Sequence, residues 1–366
     1  MNAAPPSQSA QALMAAERGR ALRLTGGAAL LLAAGIASLF AACLIGPLAI
    51  PFDDALAALS SLTGGDGATL DPVRRTVVLE LRLLRGVLAF CIGAALAVAG
   101  CVFQGILRNP LADAFTLGVS TGAAFGASLA IFCGLAARTA FSVLGLRIGL
   151  LPLAGLAGAL AALAAVLLLT RAARGPGRET LVLAGIVTAT FLSACIALLK
   201  ALDEESTSGI VFWLMGSLQG RGGGHLALLL PYLVLGLGLI WLRARDLDAL
   251  SLGGLQARLL GVDAARARLR LLVAASLLAG AAVAVCGVIG FVGLVVPHLA
   301  RRFTGAEHRP LLLISALLGG LLLVWADILA RSALPGGLEL PLGVVTALLG
   351  GPFFCFVLLR FQRSPA

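Results

Sequence analysis

Long apolar runs recur along this chain, and they constrain its fold more than any other feature. A run of about 20 residues with few charges has the length of an α-helix that crosses the hydrocarbon core of a bilayer. Of the 366 residues, 60% are hydrophobic and only 12% are charged, whereas soluble domains average about 25% charged residues. The sequence therefore predicts an all-α, polytopic membrane protein.

Ten spans can be placed on these runs. They cover residues 25–48, 86–107, 114–134, 143–170, 180–200, 226–242, 268–288, 289–303, 310–331 and 342–359. We expect residues 1–24 to be an N-terminal tail with its first 16 residues disordered, 25–360 to form the transmembrane domain, and 361–366 to form a C-terminal tail. An even number of spans puts both tails on the same side of the membrane.

The distribution of basic residues indicates which side that is. With both termini in the cytoplasm, 18 of the 27 Lys and Arg residues fall on inner segments, as the positive-inside rule requires. The net charge of +10 is then explained without a nucleic acid partner. This orientation also places the long polar stretch 243–270 in the cytoplasm, where we expect residues 243–267 to form a loop between spans six and seven.

That loop carries an apolar pattern of its own. Leu252, Leu255 and Leu259 recur at helical spacing, and glycines at 253–254 and 261 divide the stretch into short pieces. Apolar side chains on one face of an otherwise arginine-rich loop are typical of a surface that meets a partner.

Two further patterns concern helix packing. The segment G-A-A-L-A-V-A-G at 93–100 matches G-A-A-V-A-V-C-G at 280–287 in six of eight positions, which predicts an inverted internal repeat relating spans two and seven.

Gly118, Gly122 and Gly126 follow one another at four-residue intervals in span three. This spacing predicts a tight helix crossing, either beside a pathway or as ordinary membrane packing.

The chain lacks the motifs of an enzyme or of a self-powered transporter. It has no G-x-x-x-x-G-K-[ST] loop, its one lysine is Lys200, and its three histidines are scattered. We therefore predict no catalytic residue, metal site or cofactor in this chain. Ionisable residues deep in the spans are nearly missing, apart from Asp327, which could form an i,i+4 pair with Arg331. The energy for transport would then come from another subunit.

Several longer motifs occur together. They are R-L-L-R (82–85), Q-G-I-L-R-N-P-L-A-D (104–113), L-S-L-G-G-L-Q-A-R-L-L-G (250–261), G-V-I-G-F-V-G-L-V-V-P-H-L-A-R (287–301), E-H-R (307–309), A-D-I-L-A-R (326–331) and E-L-P-L-G-V-V-T-A-L-L-G-G-P-F-F (339–354). With them, residues 75–360 resemble the permease subunits of FecCD-type (type II) ABC importers for iron–siderophores, haem and vitamin B12.

The resemblance implies a BtuC-like subunit of ten helices that forms a homodimer in the bacterial inner membrane. It also implies two ATPase subunits, which carry ATP and Mg²⁺, on the cytoplasmic side and one periplasmic binding protein on the other. An iron(III)–siderophore complex is the cargo that we expect from this family. Haem and cobalamin are the alternatives within the family, and a secondary transporter independent of ATP is a second alternative.

By the same resemblance, Arg82, Arg85 and Arg331 face the periplasm and pair with acidic residues of the binding protein. The fork of a guanidinium suits carboxylates, but the same residues could be plain interfacial anchors. This chain has Leu84 where the family usually has proline, so the resemblance does not fix the turn before span two.

The resemblance assigns contact with the ATPase to two short helices in the cytoplasmic loop. The residues concerned are Leu250, Leu252, Gly253, Leu255, Gln256, Ala257, Leu259, Leu260 and Gly261. The alternative is an ordinary basic linker lying near anionic lipid. Family members often have an acidic residue where this chain has Gly254. Asn109-Pro110 and Pro297-His298, at inner span ends, are predicted to be structural, with the amide or imidazole satisfying freed backbone groups.

Overall fold

The computed structural model describes residues 8–64, 71–136, 139–143, 146–173 and 177–361, and α-helices dominate these ranges. The helices in chain order are α1 Gln8–Leu44, α2 Phe52–Ser60, α3 Pro72–Thr76, α4 Leu84–Leu107, α5 Val119–Phe132, α6 Leu150–Ala172, α7 Arg178–Leu202, α8 Glu204–Leu214, α9 Gly223–Leu242, α10 Ala244–Leu252, α11 Gly254–Leu259, α12 Ala264–Cys286, α13 Val292–Thr304, α14 His308–Ser332 and α15 Leu342–Phe361. The other elements are the strands β1 Thr139–Val143 and β2 Leu146–Gly149, a π-helix at Val77–Leu83, and 3₁₀ turns at Ser61–Thr63 and Pro335–Gly337.

Every one of the ten predicted spans contains a helix: α1, α4, α5, α6, α7, α9, α12, α13, α14 and α15. Among the described residues, seven helical segments are long and apolar enough to cross a membrane, and α5 and the first part of α15 are shorter apolar helices. The short eighth span is α13, which has 13 residues. The predicted all-α, polytopic membrane fold is confirmed.

The N-terminal segment differs from the prediction. The first 16 residues were expected to be disordered, but α1 begins at Gln8, because the alanine-rich sequence after it has high helix propensity. Arg20 donates from Nη2 to the Thr304 carbonyl at 2.8 Å and lies 3.6 Å from a Glu307 oxygen. These contacts hold the tail against α13 and α14. Residues 1–7 and 362–366, the outer parts of the predicted tails, lie outside the described residues.

Span four also begins later than predicted. Strands β1 and β2 form an antiparallel hairpin that pairs Phe141 with Ile148, and α6 starts at Leu150 rather than at 143. Apolar residues lie on both sides of this boundary, interrupted by Arg147, so hydrophobicity alone could not separate strand from helix. Pro152 is the third residue of α6, where the backbone N–H that proline lacks has no intrahelical acceptor.

No turn precedes span two. The segment from Pro72 to Leu107 is one continuous helical rod of 36 residues, in which the π-helix joins α3 to α4. Leu84, in the place of the family's proline, keeps its backbone N–H and does not clash with the preceding turn. The arginines of R-L-L-R therefore lie inside a helix and not at its start.

Helices α4 and α12 form the centre of the bundle. Their most apolar windows are 83% and 78% buried within the protein, against 22% for α1 and 28% for α7 and α9. Both copies of the predicted repeat, 93–100 and 280–287, lie on these two helices, and α12 packs against α4. The inverted relation between the two halves stays a prediction.

Glycines bring the backbone of α4 into contact with its neighbours. A Cβ atom placed on Gly93 would lie 2.1 Å from the carbonyl oxygen of Gly319 in α14. One placed on Gly100 would lie 2.0 Å from the carbonyl oxygen of Gly293 in α13. Because these contacts are made by main chain, no side-chain rotation could relieve a clash there.

The glycine series of span three makes a crossing of the same kind. Cβ atoms on Gly122 and Gly126 would lie 2.5 Å and 2.1 Å from carbonyl oxygens of α6, those of Gly158 and Ala154. Gly118 has a φ of 73° and caps the start of α5. The predicted tight crossing is therefore present, between α5 and α6.

Both predicted proline sites are structural, but one has a different partner. Asn109 accepts the Leu111 backbone N–H through Oδ1 at 2.9 Å. Pro297 lies inside α13, so the Gly293 carbonyl four residues earlier has no helical donor. Gln104 of α4 donates to that carbonyl from Nε2 at 3.2 Å, in the role that the sequence assigned to the imidazole of His298.

The first prediction concerns the backbone contact at Gly93. Replacing Gly93 with alanine should destabilise the protein by about 1–3 kcal/mol, the usual range for overpacking a core. Thermal denaturation of the purified protein in detergent measures the change.

Gly238→Ala in α9 is the matched control, since nothing lies within 4 Å of a Cβ built there. This variant should not lower the melting temperature, because alanine favours helix over glycine by about 1 kcal/mol. Equal melting temperatures for the two variants would contradict the packing argument.

Candidate functional site

The predicted cytoplasmic loop folds into two short helices, α10 and α11, as the resemblance implied. Gly253 joins them with a φ of 133°, a conformation that favours glycine. Gly261 follows α11 with a φ of 79°. Asp263 then caps α12 by accepting the backbone N–H groups of Ala265 and Arg266, both at 3.1 Å.

Charge around that cap reinforces it. The pKa of Asp263 is lowered, first because its carboxylate accepts the Arg266 N–H and further because of the Arg266 guanidinium, the Ala265 N–H and the Arg258 guanidinium, while partial desolvation opposes the shift. The residue stays ionised at neutral pH and fixes where the loop returns to the membrane domain.

Four leucines of the loop point into solvent. Leu252, Leu255, Leu259 and Leu260 are 58%, 69%, 80% and 63% exposed. We call these four residues the leucine surface. Gln256 and Gly261, also predicted to contact the ATPase, are exposed beside them.

The other three residues predicted for this contact face inward. Leu250 is 3% exposed, Ala257 is fully buried, and Gly253 is buried between the two helices. They anchor the loop on the membrane domain, and direct contact with a partner would have to come from the leucine surface. Gly254 opens α11 with nothing within 4 Å of a Cβ built on it.

At the opposite end of α4 and α14, the three predicted docking arginines come together. Arg82, Arg85 and Arg331 are only 4%, 8% and 4% exposed. Together with Asp327 and Glu339 they form what we call the arginine cluster. Three guanidinium groups against two carboxylates leave this cluster with one excess positive charge.

Arg85 is the centre of the arginine cluster. Its Nε and Nη2 donate to Asp327 Oδ1 at 3.0 and 2.7 Å. Its Nη1 and Nη2 donate to the two oxygens of Glu339 at 2.9 and 2.7 Å. The guanidinium thus joins α4, α14 and the segment before α15, and such charged forks are among the strongest hydrogen bonds in proteins.

The two other arginines bind the end of α1. Arg82 donates from Nη1 to the carbonyls of Cys43 and Leu44 at 2.8 and 3.0 Å, and from Nη2 to that of Leu48. Cys43 and Leu44 are the last two residues of α1 and Leu48 follows them, and the last carbonyls of a helix lack intrahelical donors.

Arg331, like Arg82, binds a carbonyl near the end of α1. Its Nη2 donates to the Ala42 carbonyl at 2.6 Å, and its Nε lies 3.7 Å from Asp327 Oδ2. The i,i+4 pair predicted from the spacing of Asp327 and Arg331 is therefore present. Their role in docking a binding protein stays a prediction, and each of the three arginines already has partners in its own chain.

Sequence reasoning missed Glu339. Its only signal was the E-L-P motif itself, because twelve residues and a turn separate it from Asp327. The missing information was spatial, since nothing local links Glu339 to Arg85.

A third polar feature lies between α4 and α5. Asp113 is 9% exposed and accepts the backbone N–H groups of Phe115 and Thr116 at 3.0 Å. Burial raises the pKa of this carboxyl, and the two N–H groups partly offset that effect. The arrangement closes a turn at the start of α5, so this carboxylate is structural.

The chain is similar in sequence to several named permeases of ABC transporters. An uncharacterised ABC transporter permease of Bacillus subtilis, YvrB, is 44% identical over 303 residues, covering 82% of this chain and 84% of the relative. The hemin transport permease HmuU of Yersinia pestis is 42% identical over 291 residues, covering 78% and 84%.

Other relatives are named as permeases for ferric dicitrate in Escherichia coli and for cobalamin in Halobacterium salinarum. A solved structure described as an inward-facing metal-chelate type ABC transporter superposes with a TM-score of 0.74 at 33% identity, covering 92% of this chain and 98% of that one. The model of the FecCD transport family matches residues 30–360. The chain therefore belongs to the FecCD transport family of ABC importer permeases.

Proposed function

We propose that this permease carries iron(III)–siderophore complexes across a bacterial inner membrane, as a homodimer with cytoplasmic termini. Two copies of a separate ATPase would supply the energy, and a periplasmic binding protein would deliver the cargo. ATP and Mg²⁺ would bind to the ATPase, and this chain would perform no covalent chemistry.

The leucine surface is the observation that carries this proposal. Four exposed leucines on two short helices offer an apolar ridge on a loop whose flanks are rich in arginine. Helices of this kind bind by laying the apolar face in a groove of a partner. An ordinary basic linker near lipid headgroups would need the arginines but not the ridge, so the ridge supports an ATPase contact.

The second prediction tests that contact. Replacing Leu255 and Leu259 together with aspartate should abolish copurification of the ATPase, because interface anchors are typically worth at least about 2 kcal/mol each. That value corresponds to about 30-fold in affinity per residue. The measurement is pull-down of the ATPase by tagged permease, followed by binding affinity in detergent.

Leu62→Asp is the matched control, since Leu62 is similarly exposed at 61% but lies in the 3₁₀ turn after α2. Both variants should melt at the temperature of the unmodified protein, because the substituted side chains already contact solvent. An ATPase that still binds the double variant with unchanged affinity would refute the contact.

Docking of the binding protein at Arg82, Arg85 and Arg331 is supported by the family's pattern and by the excess positive charge of the arginine cluster. The intrachain partners of these arginines decide how the role can be tested. Charge reversal of Arg85 would place three carboxylates together, and breaking a buried pair costs about 3–5 kcal/mol through the charge left unpaired. A loss of docking in such a variant would not distinguish docking from misfolding.

The third prediction therefore uses a charge-balanced variant. Arg85→Gln combined with Glu339→Gln removes one cation and one anion, leaves hydrogen-bonding groups in place, and leaves Asp327 beside Arg331. If Arg85 attracts a carboxylate of the binding protein, affinity should fall about 5-fold or more at low salt and less at high salt, where charges are screened.

Surface plasmon resonance at two salt concentrations measures this effect, and thermal melting checks the fold. The control is Arg74→Gln with Asp54→Asn, which neutralises a partly exposed ion pair between α2 and α3. Unchanged affinity of the folded Arg85 and Glu339 double variant at low salt would assign Arg85 a purely structural role.

The nature of the cargo is the finer part of the proposal. Relatives of similar identity are named for hemin and for ferric dicitrate, so identity alone does not rank the candidates. Two of the three histidines are engaged within this chain, His225 with Arg221 and His308 with Asp248. These two imidazoles are thus not free to bind haem iron, which favours a siderophore.

The fourth prediction concerns the binding protein encoded with this permease. It should bind a ferric hydroxamate siderophore at least about 10-fold more tightly than haemin or cyanocobalamin, a difference of about 1.4 kcal/mol. Fluorescence quenching with the three probes measures the affinities. Tighter binding of haemin or of cyanocobalamin would select one of the alternative cargoes.

A further inference from the structure

A buried histidine joins the cytoplasmic loop to the start of α14. His308 is 1% exposed and is the first residue of α14. Asp248 of α10 approaches it with a single carboxylate oxygen, Oδ1, which accepts the His308 backbone N–H at 2.9 Å. The same oxygen lies 2.6 Å from the ring Nδ1. Because a carboxylate only accepts, Nδ1 carries the proton that is donated.

This carboxylate caps α14 from another helix. The residue before α14, Glu307, makes no side-chain cap bond, although the first N–H groups of a helix need acceptors. Asp248 supplies one from 60 residues away in sequence, and its negative charge also suits the positive end of the helix dipole. The residue next to α14 in the sequence thus does not cap it, and Asp248 of α10 does.

The helices that meet at this contact are closely packed. Leu247, next to Asp248, is fully buried. A Cβ placed on Gly105 of α4 would lie 2.8 Å from Leu247 Cδ1 and 3.0 Å from His308 Nε2. That ring nitrogen is buried and has no hydrogen-bond partner among the described residues. The imidazole ring therefore packs between α4 and α10, and it makes its hydrogen bond through Nδ1 only.

Each end of α14 carries a polar site. Its first residue binds Asp248, and Asp327 and Arg331 near its last residue belong to the arginine cluster. The 25 residues between His308 and Ser332 form one uninterrupted helix, about 37 Å long at the usual rise per residue. Leu252 of the leucine surface lies four residues, about one helical turn, after Asp248.

We propose that Asp248 and His308 are positioning residues that transmit movement of the ATPase-facing loop to α14, and along α14 to the arginine cluster. The inference rests on the proposed ATPase contact and deepens it by naming the joint. A displacement of the leucine surface moves α10, and the paired hydrogen bonds to His308 compel α14 to follow. Without the joint, α10 could shift while α14 stayed in place.

The experiment uses the assembled transporter in lipid nanodiscs, with ATP hydrolysis measured without and with the binding protein. In Asp248→Ala both hydrogen bonds are lost. The ATPase should still copurify and hydrolyse ATP at its basal rate, but stimulation by the binding protein should fall about fivefold or more, the lower end of typical coupling between sites. Asp248→Asn keeps Oδ1 as an acceptor and should restore most of the stimulation.

Asp246→Ala is the matched control on the same helix. Asp246 pairs with the half-exposed Arg243 at 3.3 Å, so its loss should leave stimulation unchanged. If Asp248→Ala does not fold, His308→Leu tests the ring contact by itself, because it removes the Nδ1 donor, fills the space of the imidazole and leaves the backbone N–H bond to Asp248 in place. Stimulation should fall in this variant too.

The outcomes separate this inference from the proposed function. Normal stimulation by the binding protein in folded Asp248→Ala would overturn the joint and leave the ATPase contact standing. If Asp248→Ala does not fold, normal stimulation in His308→Leu would overturn the joint in the same way. Normal ATPase binding by the Leu255 and Leu259 double variant would overturn the contact itself. A loss of basal hydrolysis equal to the loss of stimulation would also overturn the joint, because it would indicate damage to assembly and not to transmission.

Discussion

Arg85 has to be neutralised where it stands, and this requirement organises one end of the molecule. A guanidinium that is almost wholly buried is tolerated only when carboxylates and hydrogen bonds replace the water that it loses. Asp327 and Glu339 do so from α14 and from the segment before α15. Asp327 also contacts Arg331, and Arg331 and Arg82 bind the carbonyls at the end of α1. One electrostatic arrangement therefore joins α1, α4, α14 and the segment before α15. Loss of Arg85 would leave Glu339 without its cation and Asp327 with only the more distant Arg331.

The other end of the bundle is arranged around an apolar surface and a single carboxylate. The loop between α9 and α12 has an outer face of leucines and an inner face of Leu250 and Ala257, and it is fastened to α14 by Asp248. A rigid helix with polar fastenings at both ends can move as a body, whereas lipid-facing helices such as α7 have mostly dispersive contacts. This contrast gives the membrane domain a mechanically stiff part around α4, α12 and α14 and a more adaptable periphery.

Much of this architecture could be predicted from the sequence, and the parts that could not have a common cause. Hydrophobic run lengths located the helix of each of the ten spans. The three-and-four spacing of Leu252, Leu255 and Leu259 indicated helix in the loop, and the family resemblance implied two short helices there. The spacing of Asp327 and Arg331 predicted their pairing. These signals are local. The partners of Arg85 and His308 lie 254 and 60 residues away, and a sequence shows that a charge sits near a helix end without showing whether its partner is in the same chain. The hairpin before α6 and the π-helix before α4 were missed because short segments that mix apolar and polar residues do not show whether they form strand, helix or loop.

The glycine contacts of α4 have a consequence for how this protein can change over time. Gly86, Gly93 and Gly100 recur every seven residues, which keeps them close to one face of the helix, and two of them meet the main chain of other helices. A larger residue at either position needs a shift of two backbones at once, and no single compensating substitution can supply it. Positions 93 and 100 should therefore stay glycine when the permease is redesigned, whereas larger residues are easier to accommodate on helices whose neighbours are side chains or lipid.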